Sequence, residues 1–480
     1  MTLIRLALLF SLVLATHVAA AADGGEAPSA APRPNILMIL VDDLGYGDLS
    51  SFGAKDLSTP NIDRLVSKGI KLTQFYSNCP VCSPTRASLM TGCFPDVAGV
   101  PGVIRTFSGD SWGLLRTDLE LLPAALKRGG YSTGMVGKWH LGLGAPNLPH
   151  LRGFDFFHGF EADMMDDYWN HLRFGRNYMR VANDAGSKQI DPEGHATDLF
   201  TEWACEWLRG QDANQPFFLY LAYNAPHTPI QPPPDWLKRY KELHPDVSDK
   251  RAELAALIEH MDQGIARVLA TLEATGLSKN TLVVFSSDNG GQLSVGANNG
   301  PLNGGKGEML EGGIRVPTCA VWPGHIQSGS QCDAVALTMD LYPTFLEIAG
   351  VKPKHKTDGQ SILPMLRGQE QFVPQREQDL FWVRVEGGNF AGKPFYAARR
   401  GPWKLLQNKA DEPFALYNLA DDPGETRNLA ASHPEKYAEM KQILEGHLAR
   451  VKDIPYRDAQ GAGPGEVPGL PKDEAKKKAR

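Results

Sequence analysis

The feature that most limits how this chain can fold is a short apolar run that recurs along it. Residues 35–41, Asn-Ile-Leu-Met-Ile-Leu-Val, are apolar at successive positions and not only at alternate ones. A strand without a polar face must be covered on both sides, which is typical of parallel strands in α/β proteins. Similar runs occur at 131–136, 217–222, 282–285 and 316–321. The sequence therefore predicts a sheet that is buried on both faces.

Segments with helical periodicity separate these runs, at 117–127, 199–208 and 252–275. Strands that alternate with helices predict an α/β fold, with a large and mostly parallel sheet flanked by helices. We assign this large domain to residues 34–370.

A different pattern begins near residue 371. Aromatic and β-branched pieces lie close together with turns between them, and a helical pattern follows at 434–451. This pattern predicts a smaller C-terminal domain at 371–455, with an antiparallel sheet and a helix. Residues 456–480 are rich in Pro, Gly and Lys, and we predict a disordered tail there.

The first 22 residues have the parts of a secretory signal peptide. A basic start precedes a short apolar stretch and small residues that resemble a cleavage site. The stretch is shorter than the roughly 20 residues that span a bilayer, and no later stretch is long enough either. We predict cleavage near residue 22, a flexible leader at 23–33 and an exported protein, periplasmic or secreted, without a membrane span.

Other sequence properties narrow the class of protein. Lys and Arg number 49 and Asp and Glu 55, so the net charge is −6, which argues against a nucleic-acid partner. No Asn-x-Ser/Thr acceptor for N-glycosylation occurs, which favours a bacterial source. Six cysteines are too few for a disulfide framework in a chain of this length, although Cys319 and Cys332 could pair.

Acidic and amide side chains follow two of the predicted strands. Asp42 and Asp43 come after the first strand, and Asp288 and Asn289 come after the run at 282–285. The carboxyl ends of parallel strands meet at one edge of a sheet. An all-oxygen set there suits Ca²⁺ or Mg²⁺, although either motif alone is also an ordinary turn.

A short helix is predicted around Cys82. Ser83 is a good N-cap, Pro84 suits the first helical position, and Gly92 can end the helix. Cys82 then lies at a helix N-terminus, one turn from Arg86, where anions are favoured. A lone cysteine is usually a small buried apolar residue. The spacing Cys79-x-x-Cys82 also leaves a redox dithiol open, whereas zinc would need a second ligand pair.

Four basic side chains come from separate segments. Lys138 and His140 lie two residues apart, so on an extended segment they face the same way. His227 follows the run at 217–222, and Lys306 lies in a glycine-rich loop. Each alone is an ordinary surface charge or a satisfied histidine. Together at one end of a sheet they would bind a tetrahedral oxyanion beside the cation.

The chain resembles the sulfatase family closely at this point. Cys82-x-Pro84-x-Arg86-x-x-Leu89-x-Thr91-Gly92 is similar to the complete family signature, which outweighs the redox interpretation. The nearest branches are of the arylsulfatase A and N-acetylgalactosamine-6-sulfatase type. Further family-like segments follow in order from about residue 34 to 451: 35–47, 60–65, 137–142, 152–155, 288–290, 311–317, 421–425 and 428–429.

The resemblance implies an alkaline-phosphatase-like fold and a sulfuric ester hydrolase of arylsulfatase type. It implies that a maturation enzyme converts Cys82 to Cα-formylglycine, whose hydrate is the nucleophile. It also implies one Ca²⁺ per chain, and the matching ligand positions are Asp42, Asp43, residue 82, Asp288 and Asn289.

The family's catalytic positions match further residues of this chain. Arg86 would hold the nucleophile, and Lys138, His227 and Lys306 would bind the sulfate oxygens. His227 or Lys306 would protonate the departing alcohol, and His140 would accept the proton that releases sulfate.

Two other functions compete with hydrolysis of an aryl sulfate or a sulfated sugar. A phosphate or phosphonate monoester hydrolase of the same superfamily is one, and a non-catalytic Ca²⁺-dependent sulfoglycan-binding protein is the other. The single-cation ligand set argues against the first, and the retained nucleophile and basic residues argue against the second.

The substrate side of the site lies in segments that diverge from the family. Trp112, Tyr168 and Trp169 would stack on a sugar or anchor loops. Asp163, Asp166 and Asp167 would repel a dense polyanion, which favours a terminal sulfated sugar over the interior of a polymer.

Overall fold

Two sheets organise the part of the chain that the structure, a computed structural model, describes: residues 33–107, 110–369, 378–386 and 392–457. The signal peptide predicted at 1–22 lies outside these residues, as do most of the predicted leader and tail. Both sheets belong to one compact unit that begins at Arg33.

The strands are named in chain order. They are β1 (Asn35–Val41), β2 (Ile70–Leu72), β3 (Phe75–Tyr76), β4 (Ser132–Lys138), β5 (Phe156–Phe160), β6 (Leu172–Arg173), β7 (Arg176–Asn177), β8 (Met179–Asn183), β9 (Gly186–Gln189), β10 (Phe217–Ala222), β11 (Thr281–Ser287), β12 (Thr318–Val321), β13 (Ser330–Cys332), β14 (Ala336–Leu337), β15 (Leu380–Val385), β16 (Pro394–Arg400), β17 (Trp403–Gln407) and β18 (Ala415–Asn418).

The helices are named in the same way. They are α1 (Pro60–Lys68), α2 (Cys82–Thr91), α3 (Leu122–Arg128), α4 (Ala196–Arg209), α5 (Pro234–Leu243), α6 (Asp249–Ala274), α7 (Glu311–Ile314), α8 (Leu341–Ala349), α9 (Leu363–Leu366) and α10 (Pro434–Val451). Among the described helices, none is both long enough and apolar enough to cross a bilayer.

The large sheet has ten strands in the order β13-β2-β12-β11-β1-β10-β4-β5-β8-β9. Its centre, from β11 to β5, is parallel, as the apolar runs predict. The flanks are mixed, and β12, which we expected to be parallel, runs antiparallel to β11. The chain between β11 and β12 contains a 3-10 turn at Leu293–Val295 and the short helix α7, and no long crossover helix of the kind that joins parallel strands.

Strand β1 shows why the central run is apolar at successive positions. Ile36 and Met38 pack into one core beneath α2, α3 and α8, whereas Leu37 and Ile39 pack into the other core beneath α4 and α6. All seven residues of the strand are buried. The period of two therefore divides one apolar run between two helical layers.

The small sheet, β15-β16-β17-β18, is antiparallel throughout, and α10 packs on β16 and β17. Its position and its helix agree with the sequence, and the predicted fold class is confirmed. The boundary at 370/371 stays a prediction, because the residues around it are outside the described part of the chain.

A buried ion-pair network joins the small sheet to α7 and β3 of the large domain. Lys404 of β17 is inaccessible to solvent, and its Nζ lies 2.9 Å from Glu311 Oε1 of α7 and 2.8 Å from Glu425 Oε1. The Tyr76 hydroxyl donates to Glu311 Oε2 at 2.6 Å, and Arg399 donates to that hydroxyl at 2.6 Å. One lysine is therefore shared by two buried carboxylates from different parts of the fold.

Cys319 and Cys332, a possible pair from the sequence, are separate buried thiols. Cys319 lies beside Lys71 of β2 and Cys332 lies beside Leu72, on the opposite side of the same strand. Strands on either side of a third are about 9–10 Å apart, which is too far for a disulfide.

We predict that Lys404→Ala lowers the free energy of unfolding by about 3–5 kcal/mol, because buried Glu425 loses its cation and buried Glu311 keeps only the more distant Arg315, at 3.7 Å. Denaturant unfolding followed by circular dichroism measures the change. Lys409→Ala is the control, since Lys409 of the same sheet region pairs with Glu412 at an exposed position and should leave the midpoint unchanged. Equal midpoints for the two variants would contradict the prediction.

Candidate active site

The acidic residues of the site are brought together by the register of the central strands. Val41 pairs with Ser287, so Asp42 and Asp288 leave adjacent parallel strands at the same edge. Asp43 has a positive φ of 68° and its backbone N–H donates to Asp288 Oδ1 at 3.2 Å. Asp residues tolerate this left-handed conformation better than most.

Three cations neutralise the three aspartates. Arg86 Nη2 lies 2.6 Å from Asp288 Oδ2 and 3.7 Å from Asp42 Oδ2. Lys138 Nζ lies 2.5 Å from Asp42 Oδ2. The third pair joins Lys306 Nζ to Asp43 Oδ2 at 2.6 Å.

The charges shift the acidities of the aspartates in opposite directions. Burial opposes ionisation of Asp42, but Lys138 and the other nearby cations hold its pKa well below the usual value. Burial, and then the negative charge of Asp42, raises the pKa of Asp288 to about 7. A further positive charge near these oxygens would favour ionisation of both groups.

Two buried oxygens at this edge have no hydrogen-bond donor among the described residues: Asp42 Oδ1 and Asn289 Oδ1. The Asn289 amide donates to Asp43 Oδ1 at 2.8 Å, which fixes the direction of its own oxygen. Ligand atoms of Asp42, Asp43, Cys82 and His227 also lie within 4.8 Å of one another. Unpaired buried oxygens are costly, and an oxygen-rich cluster of this kind fits a hard divalent cation.

Cys82 is the first residue of α2 and is buried, with the N-cap at Val81. The sequence predicts Ser83 as the N-cap, and this prediction is wrong. The Ser83 Oγ instead accepts a hydrogen bond from the Ile104 N–H at 3.1 Å. Pro84 is accordingly the third residue of the helix and not the first. Burial, and then the charge of Asp42, raises the pKa of the Cys82 thiol well above its usual value.

Cys79 is also a buried free thiol whose pKa burial raises. Its Sγ lies 3.6 Å from the Val383 carbonyl oxygen. Redox cysteines are exposed and have a low pKa, so the surroundings of Cys79 and Cys82 do not suit a redox dithiol.

We expected His140 to share an extended segment with Lys138. It lies instead beyond the end of β4 in a left-handed conformation, with φ of 58°. The turn explains why the two side chains meet different partners. Nε2 donates to the Ile104 carbonyl at 2.9 Å, so the neutral ring carries its lone pair on Nδ1. Nδ1 is buried without a hydrogen-bond partner among the described residues, and burial with Lys138 nearby lowers the ring's pKa well below the usual value.

His227 has the opposite arrangement of ring nitrogens. Nδ1 donates to the Thr228 carbonyl at 2.7 Å, which leaves the lone pair on Nε2, 3.0 Å from Lys306 Nζ. Burial, and then the charge of Lys306, lowers the pKa of His227 to about 4. His227 is therefore neutral near pH 7 and accepts a hydrogen bond from the lysine.

A cavity of about 380 Å³ opens onto this group, and its lining includes Cys82, His140, His227 and Lys306. Lys138, Arg86 and the aspartates are buried behind it. The lining also includes Arg105, which sequence reasoning missed. No motif marks this arginine, and only the fold brings it to the cavity.

The aromatic residues of the divergent segments have different roles. Tyr168 is fully buried, and its hydroxyl lies 2.9 Å from the Asn224 carbonyl and 2.8 Å from that of His227, so it does not stack on a sugar. Trp112 stacks near Tyr456. Trp169 is exposed by 46% and packs edge-on against His195.

The acidic residues of the same segments are less able to repel an anionic substrate than the sequence suggested, because they have partners within the protein. Asp163 is buried and bonded to Arg173 at 2.9 Å, and Arg173 also lies 2.7 Å from Asp166. Their charges are therefore neutralised within the protein and do not act as free repelling charges. Asp167 accepts hydrogen bonds from the backbone N–H groups of Trp169 and Asn170.

Comparison with known proteins agrees with this geometry. The model of the family described as Sulfatase matches residues 34–351, well over half of the chain. The chain belongs to the sulfatase family. A second family model, described as N-sulphoglucosamine sulphohydrolase, C-terminal, matches residues 305–453 of this sulfatase. The chain is therefore a sulfuric ester hydrolase.

Individual relatives support the assignment. N-acetylgalactosamine-6-sulfatase of Mus musculus is 35% identical to this sulfatase over 451 residues, 89% of this chain and 82% of the relative. The solved structure of Ps i-CgsB in complex with k-i-k-neocarrahexaose has a TM-score of 0.78 at 30% identity, and covers 89% of this chain and 96% of that one. The phosphonate monoester hydrolase of Agrobacterium radiobacter shares the fold, with a TM-score of 0.61 and 22% identity. The match covers 89% of this chain and 96% of that one.

We predict that Tyr168→Phe loosens the loop that carries His227. Loss of the hydroxyl should lower the free energy of unfolding by about 1–2 kcal/mol and kcat for a sulfate ester about ten- to a hundredfold, since small displacements at a reacting centre are costly. Tyr240→Phe is the control, because that hydroxyl donates to the Asp56 carbonyl away from the cavity. The control should lose similar stability with kcat unchanged, and equal kcat values for the two variants would contradict this role.

Proposed function

We propose that this sulfatase hydrolyses sulfate esters with Cα-formylglycine, formed from Cys82, and one bound Ca²⁺. Asp42, Asp43, Asp288, Asn289 and residue 82 would hold the cation. The observation that carries the proposal is the position of Cys82 at the cavity, beside two buried oxygens, Asp42 Oδ1 and Asn289 Oδ1, that have no hydrogen-bond donor in the described part of the chain.

The charge balance supports a divalent cation and an anionic substrate. Arg86, Lys138 and Lys306 contribute three positive charges, and the three aspartates contribute three negative charges once a bound cation favours ionisation of Asp288, so these six side chains then have no net charge. Two added positive charges would make the group attractive to the singly charged sulfate monoester.

Ca²⁺ would supply electrostatic polarisation, and formylglycine would supply, as its hydrate, a nucleophile with two hydroxyls on one carbon. This chain's own residues would orient and neutralise the reactants. Arg86, fixed by Asp288, would orient the nucleophile, and Lys138, His227 and Lys306 would face the sulfate oxygens.

The tautomers of the two histidines suggest how protons move. His140 has an unpaired Nδ1 lone pair, so it would accept the proton whose removal releases sulfate. Neutral His227 has no proton on Nε2, whereas Lys306 carries protons beside it. Lys306 would therefore protonate the departing alcohol, with His227 orienting its ammonium group.

The same residues disfavour a phosphate or phosphonate hydrolase. A dinuclear centre needs more histidine and aspartate ligands than Asp42, Asp43, Asp288 and His227 supply, and His227 is already bonded to Lys306. Two of the relatives support a sulfated sugar as the substrate. One is named N-acetylgalactosamine-6-sulfatase, and the structure of the other, Ps i-CgsB, contains the sugar chain k-i-k-neocarrahexaose.

The proposal includes the protein's maturation and location. A formylglycine-generating enzyme would act on Cys82. The signal-peptide pattern at 1–22 supports export to the periplasm or the exterior of a bacterial cell.

The nucleophile is tested on protein produced with and without a formylglycine-generating enzyme. We expect the peptide that contains residue 82 to show the mass loss of thiol-to-aldehyde conversion, and hydrolysis of an aryl sulfate to scale with the converted fraction. Cys82→Ala should be inactive, whereas Cys93→Ala, at another buried thiol, should convert and retain activity. Full activity of unconverted protein would contradict the proposal.

The cation is tested by thermal unfolding, which needs no activity. Ca²⁺ added to chelator-treated protein should raise the Tm, because a ligand that binds only the folded state stabilises it. Asn289→Ala should lose most of this shift. Asn147→Ala, at another buried asparagine bonded to Arg152 and the Leu115 carbonyl, should keep it. An unchanged Tm of the wild type with Ca²⁺ would argue against the site.

A further inference from the structure

The cavity has a second group of charged residues in its wall, apart from those that face residue 82. Arg105, Asp163, Arg384 and Glu386 belong to its lining. Two of them come from the large domain and two from β15 and the residue after it. None of the roles proposed above uses this group.

Arg105 is fixed at the cavity by two carboxylates. Its Nη2 donates to Glu386 Oε2 at 2.9 Å, and its Nη1 lies 3.9 Å from Asp163 Oδ2. Its backbone N–H also donates to Ser111 Oγ at 2.7 Å. The side chain is nevertheless 38% exposed, so a guanidinium with five N–H donors faces the cavity in a set orientation.

The two carboxylates are themselves buried and held by other groups. Asp163 accepts hydrogen bonds from Thr106 Oγ1 at 2.7 Å and from Arg173. Glu386 Oε1 lies 3.4 Å from Arg384 Nε, and Arg384 also donates to the Gly307 carbonyl, next to Lys306. An arginine supported in this way loses little conformational entropy when it binds an acceptor.

This wall carries no net charge. In the lining, the positive charges of Arg105 and Arg384 balance the negative charges of Asp163 and Glu386. Behind the lining, Arg173 pairs with Asp163 and Asp166, so the six charges together also sum to zero. The remaining side chains nearby include the uncharged Gln292 and Ser294. A second sulfate or a carboxylate near Arg105 would also approach two carboxylates. An uncharged hydroxyl, ring oxygen or amide carbonyl would accept from Arg105 without that repulsion.

We propose that Arg105 donates hydrogen bonds to an oxygen atom of an uncharged sugar on the leaving side of the sulfate ester, and that Glu386 and Asp163 are its positioning residues. The inference rests on the proposed sulfate-ester hydrolysis and specifies its substrate class. The preferred substrate is a sugar unit with one sulfate, and a second acidic group beside Arg105 weakens binding.

The test compares three substrates with the mature, Ca²⁺-loaded enzyme: phenyl sulfate, a panel of monosulfated monosaccharides, and disulfated forms of the best of these. Phenyl sulfate offers Arg105 no acceptor on its leaving group. Arg105→Ala should therefore lower kcat/KM for the monosulfated sugar about 10- to 100-fold, the value of hydrogen bonds from a charged donor. For phenyl sulfate the change should stay below about threefold.

Further variants separate recognition from folding. Arg128→Ala is the control, because Arg128 has similar exposure and a carboxylate partner, Glu120, away from the cavity. Arg128→Ala should leave kcat/KM unchanged for both the monosulfated sugar and phenyl sulfate. Arg105→Lys keeps the charge but not the planar fork, and it should show the same selective loss if Arg105→Ala does not fold. Glu386→Gln removes one negative charge, so it should reduce the preference for the monosulfated over the disulfated sugar.

Several results would overturn the inference while leaving the hydrolase intact. They are equal losses on sugar and phenyl sulfate in Arg105→Ala, no loss on either, a wild type that prefers disulfated sugars, or a wild type that hydrolyses phenyl sulfate but no monosulfated sugar. Failure of the wild type to hydrolyse phenyl sulfate and every sugar sulfate would instead contradict the proposed function.

Discussion

Three buried aspartates, the buried cations Arg86 and Lys138 and the partly exposed Lys306 lie together at the carboxyl edge of the central sheet, and the site depends on their mutual neutralisation. A single charge buried without a partner costs several kcal/mol, so each member of the group requires the others. The members come from the ends of β1, β4 and β11, from α2 and from the loop that carries Lys306. The register of three strands and the position of one helix are therefore linked by charge as well as by packing.

The two histidines of the site follow from the same surroundings. Each is buried beside a cation, which keeps it neutral, and each donates one ring N–H to a backbone carbonyl. His140 uses Nε2 for this bond and His227 uses Nδ1, so their lone pairs are on different nitrogens. Backbone contacts thus determine which atom of each ring is available to a reactant.

Much of this arrangement is predictable from the sequence, because its causes are local. The apolar runs predict the central strands, and the polar residues that follow β1 and β11 predict a shared edge, since parallel strands end on the same side. The left-handed turn at His140 and the cap of α2 are not predictable, because they depend on contacts with Ile104, a distant residue. Arg105 and Glu386 lie 281 positions apart, and no spacing rule joins them. The burial of Tyr168 likewise depends on carbonyls from another loop.

The polar contacts between the small sheet and the large domain bear on how this fold diversifies. Arg384 and Lys404 belong to the small sheet and Glu386 directly follows β15, yet each is bonded to a residue of the large domain. A graft of the small sheet from a relative would replace part of the wall of the cavity, and it would also have to supply a cation at the position of Lys404, between Glu311 and Glu425. Changes of substrate preference through this sheet are therefore expected to arise by co-inheritance of several positions and not by exchange of an independent module.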